Sequence, residues 1–174
     1  MKYIIFLCSI FMLFFACSES EEPYYIKLSD NILKPFSQKI QKKYFLRPLG
    51  GGGGFMDSVN KIYLAFTSSQ APTLDQCRKE YVEMVAELLS LYNHNEEIRP
   101  YLGNYPFKAE NVNILILYST NPKLDIPDRV YSVNMHFGEI SFHMADIDSM
   151  DPKYYIRETF EEAYFKVYGK EWKP

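Results

Sequence analysis

The amphipathic segment at residues 73–92 limits the fold of this chain more than any other sequence feature. Thr73 and Gln76 have the spacing of a capping box, in which each side chain satisfies a free backbone N–H of the first helical turn. Apolar residues then recur with helical spacing at Leu74, Cys77, Tyr81, Val85, Leu88 and Tyr92. We therefore predict a long helix whose apolar stripe packs against the rest of the domain.

Alternating apolar residues predict strands on both sides of this helix. Residues 61–67 place Ile62, Leu64 and Phe66 on one face, which is the period of a half-buried strand. Residues 111–118 carry apolar side chains on both faces, which indicates a buried strand.

Residues 131–145 have the pattern of a β-hairpin. Gly138 and Glu139 suit a two-residue turn with glycine first. The apolar face of this register pairs Phe137 with Ile140, Met135 with Phe142 and Val133 with Met144. The opposite face pairs His136 with Ser141 and Asn134 with His143.

A last helix is predicted to begin after Asp151, with Pro152 at its first position, and to stop at Gly169. Its inner stripe consists of Ile156, Phe160, Ala163 and Val167. The order of these elements predicts an α+β fold, with a mainly antiparallel sheet of about four strands and two or three helices packed on one face.

The segment before this domain is predicted to be a helical arm and a loop. Residues 24–28 suggest a short strand, and residues 30–45 suggest a helix with Pro35 in its first turn. Residues 50–54 are five consecutive glycines, and Phe55-Met56-Asp57 follow them where a phosphate loop would need Lys and Ser or Thr. We expect a mobile loop or hinge there, because ordering five glycines costs much entropy.

The N-terminal residues have the layout of a secretory signal peptide. Lys2 precedes an apolar run at residues 3–16, and a small residue, Ala16, ends it. This run is shorter than the roughly 20 residues that a membrane-spanning helix needs. The chain is therefore expected to comprise a signal peptide at 1–16, a tether at 17–29, the helical arm and glycine loop at 30–58 and the α+β domain at 59–174.

The residues Phe14-Phe15-Ala16-Cys17 resemble the lipobox of bacterial lipoproteins, with Phe14 at a place that is usually aliphatic. The resemblance implies cleavage before Cys17 and attachment of lipid, including palmitate, to that cysteine. Three acidic residues after it also resemble the export tag of surface lipoproteins of Bacteroidetes: Glu19, Glu21 and Glu22. The implied location is the cell envelope, at the bacterial outer membrane. The alternatives are cleavage after Ser18, which would release a secreted protein, and an uncleaved anchor.

The net charge argues against one class of binding partner, and the cysteine count argues against an intramolecular disulfide. The formal net charge of −3 argues against nucleic acid as a partner. Of three cysteines, Cys8 lies in the signal peptide and Cys17 is the lipid candidate, so Cys77 has no intramolecular disulfide partner in the mature chain. Its position on the helix stripe predicts a buried, small hydrophobic residue. No cofactor is expected, and the sequence leaves the oligomeric state open.

The connection after the first long helix is the predicted binding surface. Arg99, Tyr101, Tyr105 and Phe107 lie in a segment with two prolines, and loops on a rigid scaffold often carry binding residues. The alternative is that these aromatic residues fill the end of the core beneath the loop.

Two histidines of the hairpin are the weak candidates for a metal site. In the predicted register His136 and His143 are diagonal neighbours on one sheet face. Zinc usually takes three or four protein ligands, and neither His94 nor a carboxylate has a spacing that supplies the third. We therefore predict no metal site and solvent-facing histidines.

No nucleophile–base pair, metal cluster or phosphate loop stands out, so the chain is predicted not to be an enzyme. The expected function is that of a membrane-tethered envelope lipoprotein that binds an envelope protein or component without catalysis. The alternatives are a secreted soluble ligand-binding domain and a metal-dependent enzyme that uses His136 and His143.

Overall fold

A computed structural model describes residues 22–118, 129–144 and 155–173 of the chain. The described helices are α1 (Tyr24–Tyr44), α2 (Leu74–His94) and α3 (Phe160–Tyr168), and single 3-10 turns occur at Arg99–Tyr101 and Ala109–Asn111. The described strands are β1 (Arg47–Gly54), β2 (Lys61–Ser68), β3 (Val112–Tyr118), β4 (Val130–His136), β5 (Glu139–Met144) and β6 (Tyr155–Thr159). The fold is α+β, as predicted. The signal peptide and Cys17 lie outside the described residues.

The six strands form one mixed sheet in chain order, where about four strands were expected. All neighbours are antiparallel except β2 and β3, which are parallel. Helix α2 lies between these two strands in the chain and provides the long crossover that parallel neighbours require. The predicted strands at 61–67 and 111–118 are confirmed as β2 and β3.

One face of the sheet and all three helices enclose the hydrophobic core. Buried residues of β2 and β3, such as Phe66 and Ile114, belong to the same cluster as buried residues of α1, α2 and α3. On the opposite face, Tyr63 and Leu117 are exposed. The alternation of the two strands therefore decides which side chains remain at the surface.

Helix α2 agrees closely with its prediction. Thr73 and Gln76 form both hydrogen bonds of the capping box. Cys77 is buried and its thiol lies 3.6 Å from the Tyr118 hydroxyl, while the Tyr81 hydroxyl donates to the carbonyl oxygen of Ile114 at 2.6 Å. Burial raises the pKa of Cys77 to about 12, so its thiol is protonated at neutral pH. The predicted structural role of Cys77 is confirmed.

Helix α1 is longer than predicted. It begins at Tyr24, so the expected strand at 24–28 is wrong, and the tether cannot extend to residue 29 because Leu28 and Ser29 are already buried in the helix. Pro35 lies inside the helix and not in its first turn. An interior proline costs roughly 3 kcal/mol of helix stability. Burial of apolar side chains on both sides of it offsets this cost: Leu28, Ile32, Leu33, Phe36 and Ile40.

The five glycines form part of strand β1 and not a mobile loop. They pair with β2 in a regular antiparallel register from Gly50–Ala65 to Gly54–Lys61. The division between a helical arm at 30–58 and a domain at 59–174 is also wrong, because Phe36, Ile40 and Leu46 belong to the common core. Backbone hydrogen bonds to β2 order the five glycines, which have no side chains to pack.

The hairpin exists, but its register differs from the prediction by two residues. Its turn consists of Phe137 and Gly138, whose φ angles of 49° and 81° are both positive, as a type I′ turn requires. Met135 therefore pairs with Ile140, and His136 pairs with Glu139. A shift of two residues leaves every side chain on its predicted face, so the hydrophobic pattern alone could not fix the register.

The last helix begins later than predicted. Residues 155–159 form strand β6, and Ile156 therefore lies in the sheet and not on a helix stripe. Thr159 caps α3 through a second capping box with Glu162, and Gly169 ends it in the left-handed conformation, as predicted. The expected start at Asp151 and Pro152 lies outside the described residues.

Candidate binding surface

Phe107 is part of the core and not of a surface. Its side chain is fully buried, and its ring stacks on that of Tyr92 with centroids 5.3 Å apart. Asn93 fixes the backbone of Phe107, because its side chain accepts from the N–H at 2.7 Å and donates to the carbonyl oxygen at 2.9 Å. The prediction that Phe107 presents a ligand platform is therefore wrong, and the core-filling alternative is correct for this residue.

Tyr101 packs against the beginning of α1. Its ring centroid lies 6.2 Å from that of Tyr24 and 5.8 Å from that of Tyr25, and it is half-buried. The Tyr25 hydroxyl donates to the carbonyl oxygen of Met56 at 2.7 Å. The Val59 N–H donates to the carbonyl oxygen of Tyr101 at 2.7 Å. The loop is thus held against the first helix and the connection between β1 and β2.

Arg99 and Tyr105 remain at the surface. The Arg99 guanidinium lies 5.0 Å from the centroid of the Tyr105 ring, and Tyr105 is 55% exposed. Arg99 also donates to the carbonyl oxygen of Asn93 at 3.3 Å. A cation over an aromatic face is a pre-organised contact for a partner. Of the four predicted residues, these two form an exposed pair.

Three asparagines that sequence reasoning did not single out make the loop rigid. The Asn111 amide donates to the backbone oxygen of Asn60 at 2.9 Å and exchanges hydrogen bonds with the Asn104 amide at 2.9 and 3.1 Å. Gly103 lies so close to Asn60 that a Cβ atom there would collide with its amide. The bond between Asn111 and Asn60 joins residues 51 positions apart, so no local pattern indicates it.

The two histidines share a sheet face but are far apart. His136 pairs with Glu139 and His143 pairs with Ser132, so their positions differ by four residues along β4. At about 3.3 Å per residue this offset is roughly 13 Å. The predicted diagonal contact is therefore wrong, because it rested on the wrong register. Among the described residues, no group of three or more His, Cys, Asp or Glu side chains has a geometry suited to a metal ion.

His143 lies in a row of aromatic rings. Its centroid is 4.4 Å from that of Tyr155 and 5.9 Å from that of Tyr131. Burial lowers the pKa of His143, and the nearby Arg157 guanidinium lowers it further.

This shift predicts a pH dependence of stability. Between the lowered folded pKa and the ordinary value near 6.5, the unfolded chain binds a proton at His143 that the folded chain does not. The free energy of unfolding should therefore fall as the pH is lowered below about 6.5. Urea unfolding at pH 7.5 and 5.5 should show a smaller loss for His143→Asn than for wild type, and equal losses would contradict the assignment.

A buried ion cluster is the largest feature that sequence reasoning missed. The Glu158 side chain is only 1% exposed and accepts from Arg78 Nε at 2.6 Å and from Lys166 Nζ. Arg78 also pairs with Asp75 at 2.5 Å. The cluster borders an open cleft of about 810 Å³ that Trp172 also lines. Because both oxygens of Glu158 already have cationic partners, the cluster connects α2, β6 and α3 and offers no free base.

Comparisons of the chain with protein-family models, with curated proteins and with solved structures found no match. In the described ranges, none of the helices combines the length and apolar character needed to span a bilayer.

Proposed function

We propose that this chain is a bacterial cell-envelope lipoprotein, anchored in the outer membrane through lipid on Cys17, whose folded part binds an envelope protein without catalysis. The N-terminal segment is the observation that supports lipid anchoring. A basic start, an apolar run at residues 3–16 and the Ala16-Cys17 junction follow each other without interruption. Attachment of two or more acyl chains gives stable membrane anchoring, whereas one chain gives only marginal binding.

The exposed pair of Arg99 and Tyr105 supports the binding half of this proposal. Tyr101 of the same loop contacts Tyr24, the first residue of α1. The chain between Cys17 and Tyr24 spans at most roughly 25 Å when fully extended. A lipid on Cys17 would therefore hold this surface near the membrane, within reach of other envelope proteins.

The anchor predicts a clear result for Cys17→Ser. Wild type should fractionate with membranes, and mass spectrometry should find acyl chains on an N-terminal Cys17, because acylation requires the thiol. The Cys17→Ser chain should carry no acyl chain. Cys8→Ser is the matched control and should stay acylated. A mature wild-type chain that begins at an unmodified residue other than Cys17 would contradict the anchor and favour a secreted ligand-binding domain.

The same membranes test the binding surface. Crosslinking in intact envelopes should capture a partner with wild type, and Arg99→Ala/Tyr105→Ala should reduce its yield severalfold, since buried aromatic and arginine contacts dominate interface energies. Glu97→Ala, an exposed position of the same connection, should leave the yield unchanged. Equal yields for wild type and the double variant would remove this surface from the proposal.

A further inference from the structure

Strand β1 is an edge of the sheet. Among the described residues its only strand neighbour is β2. In an edge strand every second residue directs its backbone N–H and C=O away from the sheet, and such a row is a template for another strand.

The two edges of the sheet are protected differently. The opposite edge, β6, has five described residues, and one of them, Glu158, directs a charge inward, which discourages strand addition. In β1, Pro48 and an irregular register between Pro48 and Gly50 protect only the first half. The second half, residues 50–54, has neither a charge nor a proline. We call this part the glycine half of β1.

Steric packing requires glycine at only some of these positions. A Cβ atom at Gly51 would lie 2.8 Å from Leu64 Cδ2, and one at Gly53 would lie 2.5 Å from the carbonyl oxygen of Lys61. A Cβ atom at Gly52 would meet no atom within 4 Å. The fold therefore does not require glycine at position 52, whereas close approach of a second backbone would favour it.

A groove runs beside the glycine half, between β1 and α1. Its volume is about 300 Å³, and its apolar surface comes from Leu33, Phe55 and Leu64. Ser37 lines it from α1, and the charges of Asp30 and Lys34 neutralise each other at a distance of 3.0 Å. This volume is at the lower limit for small-molecule sites, so the groove suits a side chain better than a cofactor.

We propose that an extended segment of another polypeptide adds to the glycine half of β1 as a further strand and places an uncharged, apolar side chain in the groove. Main-chain hydrogen bonds would supply affinity, and the groove would supply specificity. This surface is separate from the Arg99 and Tyr105 pair, because neither residue lines the groove, and the inference names the chemistry of its partner. It does not depend on lipid at Cys17.

A second copy of the chain fits this edge poorly. A stable interface buries roughly 1,200–2,000 Å² in total. Two paired glycine halves contribute backbone but almost no side-chain area, and residues 50–54 carry no side chain that could fill the groove of the other copy. A peptide that carries an apolar side chain uses both the edge and the groove.

Selection of phage-displayed random seven-residue peptides on the purified full-length chain in detergent tests the proposal. Selected peptides, made synthetically, should bind wild type and lose at least tenfold in affinity for Ser37→Arg, whose side chain would occupy the groove. Gln41→Arg, at an exposed position of the same helix, should bind them as wild type does. Thermal unfolding of both variants checks that they are folded.

Methylation of the peptide backbone tests strand addition on the unaltered protein. Only every second N–H group of a bound peptide would face β1. N-methyl groups on the peptide nitrogens that face β1 should therefore weaken binding at least tenfold, and N-methyl groups on the nitrogens that face away should not. Amide exchange at residues 50–54 should slow when the peptide binds. The proposal is overturned if no selected peptide is sensitive to Ser37→Arg, if neither methylated set loses affinity, or if the chain forms a dimer that Ser37→Arg dissociates. Acylation of Cys17, read by mass spectrometry, is independent of these outcomes.

Discussion

Replacement of Glu158 by alanine is expected to lower the free energy of unfolding by about 3–5 kcal/mol. Glu158 is nearly inaccessible, and its carboxylate accepts from the Arg78 side chain, which is only 11% exposed. Without that carboxylate, the acidic partner that Arg78 keeps among the described residues is Asp75, whose side chain is 92% exposed. A poorly compensated charge would then remain inside the protein. Urea unfolding followed by the fluorescence of Trp172, the single tryptophan, would measure the change.

Arg157 provides the matched control for Glu158. It lies next to Glu158 in β6, its side chain is 63% exposed, and its acidic partner in the described part of the chain, Glu139, is 3.9 Å away. Arg157→Ala should change the free energy of unfolding by less than about 1 kcal/mol. The double variant Arg78→Met/Glu158→Leu should recover much of the loss, because apolar residues of similar volume often replace a buried pair well. A Glu158→Ala loss no larger than that of Arg157→Ala would show that the cluster does not stabilise the fold.

Gly53→Ala is expected to destabilise the protein by about 1–3 kcal/mol. The added Cβ atom would lie 2.5 Å from the carbonyl oxygen of Lys61 and would also collide with the Phe55 ring. The ring can rotate, but the carbonyl belongs to the backbone of β2 and can move only if the strands separate. Thermal unfolding of the variant would measure the effect.

Gly52→Ala distinguishes this packing effect from a general effect of glycine. Its Cβ atom would meet no neighbour within 4 Å. Alanine there should be neutral or stabilise the fold by up to roughly 1 kcal/mol, because it restricts the unfolded chain. A mobile loop at 50–54 would give the same small effect for both substitutions. Equal results would therefore contradict the assignment of these residues to β1.

The elements that the sequence predicted best are those with a strong local pattern. Helix α2 has a capping box and a long apolar stripe, and β2 alternates over its whole length. The prediction failed at the glycine half of β1, which has no side chains and therefore no pattern. It also failed at β6. Residues 156 and 160 have the spacing of a helix stripe, but the same spacing is compatible with a strand that contains residue 156 and a helix that begins at residue 160.

The candidate surface was predicted in part. The prolines and aromatic residues of residues 96–107 indicated a packed loop, and Arg99 and Tyr105 do lie exposed on it. The sequence could not show that Phe107 stacks on Tyr92, because that contact depends on the path of the loop back to α2. The histidine pair failed for a similar reason, since a two-residue change of register keeps the face but changes the neighbours.

The sequence by itself determined the α+β class, the face of each long element that is buried and the expectation of a lipid-anchored Cys17. These follow from periodicity, capping residues and the N-terminal segment, all of which are local in the chain. The tertiary structure decided that residues 50–54 form an edge strand, that a groove lies beside them and that Arg78 and Glu158 meet across 80 positions of sequence. Such features depend on backbone pairing and on contacts between distant segments, for which local side-chain patterns carry no information.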